Sequence, residues 1–124
     1  MHVCSLDQYY SGVNANCPTN GASILAEVTA WARRNGYQLF VGEVGWSTQS
    51  ACTTQGQAIL DFMHSNADVF LGYTYWAAGR WWKADYAFSV QPANVNTAGA
   101  TPTDKFQMAA LRADVARTPP PSQA

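Results

Sequence analysis

The stretch "YQLFVGEV", Tyr37–Val44, is short, largely apolar and β-branched at Val41 and Val44, the pattern of a strand buried on both faces. Just upstream, from Gly21 to Asn35, Ile24, Leu25, Val28 and Trp31 recur at helical spacing. Arg33 and Arg34 fall in the last turn and Gly36 lies just beyond, so the segment predicts an amphipathic helix with a defined stop. Downstream the same order returns. Thr53 to Asn66 carries Ile59, Leu60 and Met63 on one helical stripe, and "DVFLGYTYW", Asp68–Trp76, reads as a second buried strand. Helices alternating with buried strands imply parallel strands joined by right-handed crossovers.

The connections are unequal. Residues 5–20, rich in Tyr, Ser, Gly, Asn and Pro, read as a long irregular loop. Residues 77–100 form another, dense in aromatics and glycine, ahead of a last helix near Asp104 to Val115 with Phe106, Met108, Leu111 and Val115 in phase. Long segments follow the strand ends, whereas the joins from helix to strand are short. In a (β/α) barrel that asymmetry marks the face where the strand C-termini present reactive groups. The expected organisation is one partial barrel domain over residues 1–117 and a Pro-rich tail, "TPPPSQA", over 118–124.

With 124 residues, the chain is long enough for one modest domain and too short for two. Charged residues make up 12% of it, against a usual share of about 25%. Seven scattered basic residues within a net charge of -1 give no footprint for a nucleic-acid backbone. No apolar run approaches the roughly 20 residues that span a bilayer, and no signal-peptide pattern opens the chain. Cys4, Cys17 and Cys52, with His2 and His64 far from them, have no zinc-ligand spacing. No metal or cofactor is expected. The cysteine count fits buried thiols in a cytosolic protein as well as one disulfide and a spare thiol in an exported one.

In so weakly charged a chain, Glu43 is conspicuous. Val41, Gly42, Val44 and Gly45 flank it, so its carboxylate must face inward or into a cleft, and a buried carboxylate needs partners or a job. Trp76 ends the next strand, and Trp46, Trp81, Trp82 and Tyr86 fall in loops of the same presumed face. Any one tryptophan is ordinarily core. Several beside a carboxylate fit a saccharide cleft, since pyranose C–H faces stack on indole while hydroxyls seek polar groups. A protein-binding hot spot would use the same residue types.

Three blocks in order, "LDQYYSG" with Cys17 beyond it, "FVGEVGWST" with Cys52 beyond it, and "ADVFLGYTYWAAGRWW" running on to "ADYAFSVQP", resemble the C-terminal part of glycoside hydrolase family 5 endoglucanases. The resemblance runs from Met1 to about Pro92. It implies an α/β fold, the C-terminal portion of a (β/α)8 TIM barrel with two parallel strands and about three helices, not closed by this chain alone. It also implies a retaining mechanism, in which one carboxylate attacks the anomeric carbon and a second, roughly 5 Å away, serves as acid and then base. By the match to "GEVGW", Glu43 would be the nucleophile. By the match to "GYTYWAAG", Trp76 would line the subsite beside the cleaved bond, with His2, Trp46, Trp81 and Trp82 as further substrate-site residues.

The resemblance also exposes departures. The family places its acid/base glutamate in an Asn-Glu pair, and no such pair occurs in these 124 residues. Asp7 and Asp85 are the remaining acids in loops of the right face, and both read as loop-ordering residues. The first block reads "HVCSLD" where the family has a tyrosine, so His2 carries over and the tyrosine does not. Met1 stands where the family has an internal residue, which raises the expectation of a truncated gene or internal start. The match further implies a Cys17–Cys52 disulfide and an extracellular or periplasmic setting. A β-glucan is the expected ligand, and a complementary barrel fragment or a second copy is the expected protein partner, because open sheet edges invite pairing.

Overall fold

The computed structural model describes residues 3–10, 17 and 21–117, the first group by its backbone. His2 and the 118–124 tail lie outside the described residues. Elements follow the order β1 (Val3–Tyr10), α1 (Gly21–Asn35), β2 (Gln38–Trp46), α2 (Ser50–Ser65), β3 (Phe70–Tyr75) and α3 (Met108–Arg117). The strands form one parallel sheet in the order β1-β2-β3. This is α/β architecture with an open sheet, a portion of a (β/α) barrel.

The two strands expected from sequence are present, and a third precedes them. Residues 3–10 are not the start of a loop: they pair with β2 from Val3↔Gln38 to Tyr10↔Trp46. Parallel pairing with a distant segment supplies the order that local composition did not reveal.

α1 ends where the sequence places its stop. Gly36 has φ 68°, its N–H bonds the Arg33 carbonyl at 3.3 Å, and the Tyr37 N–H bonds the Ala32 carbonyl at 2.9 Å. That pair of bonds with a left-handed glycine is a Schellman cap. The buried stripe of α1 is Leu25, Thr29 and Ala32, with Val28 beside it; Ile24 and Trp31 are exposed on its flanks. Arg33 then clamps the turn ahead of β3, donating to Asp68 at 2.7 and 2.8 Å and to Asn66 at 2.9 Å.

The core lies between sheet and helices: Leu39, Val41, Val44 and Trp46 from β2, Cys52, Ile59, Leu60 and Met63 from α2, and Ala110 and Leu111 from α3. α3 begins at Met108, later than the pattern suggested, and Phe106 and Val115 are exposed. Its buried face includes the 4% exposed Asp114. That carboxylate accepts from the Tyr73 hydroxyl at 2.7 Å, lies 2.9 Å from Arg117 and 3.0 Å from His64, so a buried charge is held by partners from β3, α2 and α3.

Candidate active site

Glu43 reaches the inner face of the sheet through a change of phase in β2. Leu39 and Val41 are fully buried toward the helices, and strict alternation would send Glu43 after them. The ladder skips Gly42, since Leu6 pairs with Val41 and Asp7 with Glu43. This extra residue is a β-bulge, which re-aims the side chains after it. Val44 and Trp46 therefore take the buried face, and Glu43 turns away from it, half-buried. Among the described residues, no hydrogen bond or ion pair ties down its carboxylate. Asp7, read as a loop acid, sits in β1 directly beside Glu43 in register.

β3 obeys the same geometry. Tyr73 bonds α3, and the Tyr75 hydroxyl donates to the Trp46 carbonyl at 3.0 Å while the two rings meet edge to face at 5.1 Å. Those odd positions face the helices, so Thr74 and Trp76 share the inner face with Glu43. The Thr74 hydroxyl donates to the Gly42 carbonyl at the bulge, and the Trp76 N–H bonds the Val44 carbonyl at 2.8 Å. Trp76 is thus locked beside the strand end that carries Glu43. Its peptide to Ala77 is cis.

The loop after β3 builds an aromatic cluster on Trp76. Trp82 meets it edge-on with ring centres 5.1 Å apart, Tyr86 stacks on Trp82 at 4.5 Å, and Phe88 follows at 5.7 Å. The Trp76 indole N–H donates to the Tyr86 hydroxyl at 3.0 Å. Trp81 projects from the same loop, 89% exposed. Gln107, fully buried, pins the loop in place: its amide nitrogen donates to the carbonyls of Trp46 at 3.2 Å and Ala87 at 2.8 Å.

Trp46 corrects an expectation. Placed with the sugar-facing residues by sequence, it is 0% exposed and seated on α2, where Gly56 leaves room for its ring. The strand continues to residue 46, and the bulge puts that position on the helix side. Trp76, Trp82 and Glu43 are brought to one end of the sheet, and Trp81 stands at the rim of their loop. Cys17 and Cys52 are joined by a disulfide with Cα atoms 5.2 Å apart, tethering the segment after β1 to the first turns of α2. Phe88 and Gln107 are the residues that sequence reading missed. The only signal for Gln107 was a lone amide ahead of an apolar helix, which in isolation looks like surface.

A half-buried carboxylate near the C-terminal end of β2 and an aromatic cluster in the loop after the neighbouring β3 lie at the strand-C-terminal end of the sheet, the end at which (β/α) barrels carry their sites. The model of the cellulase family, glycosyl hydrolase family 5, matches residues 3–79, and the chain belongs to that family. It is 36% identical over 89 residues to a probable endo-beta-1,4-glucanase B of Aspergillus kawachii, covering 70% of this chain and 26% of that protein. An endoglucanase of Neurospora crassa is 35% identical over 89 residues, with 70% and 23% covered. Among solved structures, an endo-beta-1,4-glucanase of Xanthomonas axonopodis pv. citri carrying a triple mutation superposes with TM-score 0.79 at 37% identity, over 92% of this chain and 36% of that one. XacCel5A in complex with cellopentaose gives 0.76 at 37% identity, over 89% and 35%. The chain thus spans about a quarter of the length of the curated relatives it matches.

Proposed function

We propose that this chain supplies the nucleophile side of a retaining β-1,4-glucan hydrolase. Glu43 would attack the anomeric carbon while Trp76, with Trp82 and Trp81 beyond it, carries the sugar faces. The observation that supports this most directly is the bulge at Gly42, which removes Glu43 from the helix-packed layer and sets it on the face that Trp76 shares. The acid/base carboxylate belongs, on this reading, to barrel strands outside these residues. Both β1 and β3 are sheet edges, and Leu71 on β3 is 53% exposed, as expected of a strand that pairs with a complementary barrel portion or a second copy. The relatives' names support a glucan substrate, and a mannan is the competing one. His2 remains assigned to the substrate site by its place in the first block. The Cys17–Cys52 disulfide supports an oxidising, extracellular or periplasmic setting.

A second reading is favoured by the missing partner acid: the aromatic cluster binds glucan chains and no bond is broken. A 2-fluoro cellobioside with a dinitrophenolate leaving group separates the two, because such a leaving group needs no protonation. The nucleophile reading expects a stable covalent adduct on the peptide containing Glu43, absent from Glu43→Gln. Binding of cello-oligosaccharides without any adduct would leave the binding module.

A further inference from the structure

Trp82 also lines a groove of about 390 Å³ formed by the loop after β3, within the roughly 300–1,000 Å³ of small-ligand sites. Arg80, Lys83 and Lys105 line it and no carboxylate does. Those are three of the chain's seven Lys and Arg residues. Elsewhere Arg33, Arg112 and Arg117 are spent on Asp68, Asp104, and Asp61 with Asp114. Among the described residues none of the three groove cations has an acidic partner, and the nearby Asp104 is held by Arg112 at 2.8 Å.

The groove has a fixed frame. The Gly79 N–H donates to the Gln91 side-chain oxygen at 3.0 Å, joining its two walls, and Lys105 Nζ donates to the Ala84 carbonyl at 3.2 Å across one end. An antiparallel bridge between Ala93 and Thr103 closes the outer lobe. Within that lobe Asn94 adopts a left-handed φ of 62°, a conformation that asparagine tolerates better than most residues. Asn94 and Asn96 add amides to the lining, and Trp82 adds an indole.

Amides and an indole suit a sugar ring, and cations without an acidic partner among the described residues suit a carboxylate on it. We propose that this groove is a subsite for a carboxylate-bearing pyranose, a uronic acid within or attached to the glycan. That the ligand is a saccharide rests on reading the Trp76, Trp82 and Tyr86 cluster as a sugar surface, because Trp82 belongs to both.

The test titrates the 124-residue chain with cellotetraose and with a β-1,4-linked glucuronic acid tetrasaccharide, following tryptophan fluorescence and amide NMR shifts. Exposed charge pairs are individually weak, so the acidic sugar should bind about five- to tenfold more tightly in low salt. The preference should vanish in salt high enough to shrink the screening length well below its physiological ~8 Å. It should also vanish in the doubly substituted Arg80→Ser, Lys83→Ser protein, with cellotetraose affinity unchanged. Equal affinities, a preference that survives the substitutions, or no binding of either sugar would overturn the subsite. Loss of cellotetraose binding alone, with the acidic preference intact, would instead remove the glucan reading and leave the groove standing.

Discussion

Gly45 sits against the Trp76 carbonyl, so close that a Cβ built on it would stand 2.5 Å from that oxygen and 2.8 Å from the Phe88 ring. The bare backbone at this position lets the end of β3 and its loop close over the strand that carries Glu43. Gly45→Ala should therefore displace Trp76 as well as destabilise the fold. Overpacking of this kind costs about 1–3 kcal/mol. A lower urea midpoint together with weaker cello-oligosaccharide binding is expected, and unchanged values of both would contradict the packing.

Gln107 joins the end of β2 to the loop after β3 by donating to Trp46 and Ala87. Gln107→Leu leaves the Ala87 carbonyl without that donor, while Trp46 keeps the Tyr75 hydroxyl. The Gln107 side-chain oxygen is itself buried without a partner among the described residues, and its removal offsets part of the loss. The expected cost is about 1 kcal/mol, the low end for a buried unsatisfied group. Limited proteolysis should cut the 77–105 loop faster in the variant, whereas equal rates would show that other contacts hold it.

Asp114→Asn keeps the shape and removes the charge that faces Arg117, His64 and the Tyr73 hydroxyl. Breaking a fully buried pair costs roughly 3–5 kcal/mol. Here Arg117 is 43% exposed and can recover solvent, so roughly 2–3 kcal/mol is expected from chemical denaturation. A loss below about 0.5 kcal/mol would mean that the network contributes only as much as an exposed pair.

Alkaline pH should weaken the fold through the two β3 tyrosines. Burial pushes the Tyr75 phenol from 10.0 up to about 12, and burial followed by the bond to Asp114 raises Tyr73 in the same sense. A raised folded value favours the protonated, folded form, so the contribution is complete below pH 10 and is lost as pH rises toward about 12. Unfolding midpoints across that window should fall for the native chain and fall less for Tyr75→Phe. Parallel slopes would assign the alkaline loss to other groups.

α1 was legible to the residue because its determinants are local: a periodic stripe, two terminal arginines and a glycine free to turn left-handed. β1 was not, because a strand of Ser, Asp, Gln and Tyr becomes one by pairing with β2, about 35 positions away in sequence. Glu43 and Trp76 were legible as neighbours at strand ends, through glycine brackets and a matching position. Trp46 was misassigned for a physical reason: its side follows from where the ladder skips a residue, and that depends on the partner strand. Gln107 shares the difficulty, since its two acceptors lie 61 and 20 residues away.

The bulge at Gly42 makes odd and even positions trade places midway along β2. What it protects is a count. Deleting the Gly42 codon would leave Val41, Glu43, Val44 and Trp46 in plain alternation with their directions kept, whereas inserting one residue beside it would reverse every later side chain, turning Glu43 toward the helix side and Trp46 away from it. Insertions in this nine-residue strand should therefore be far less forgiving than substitutions at most of its positions.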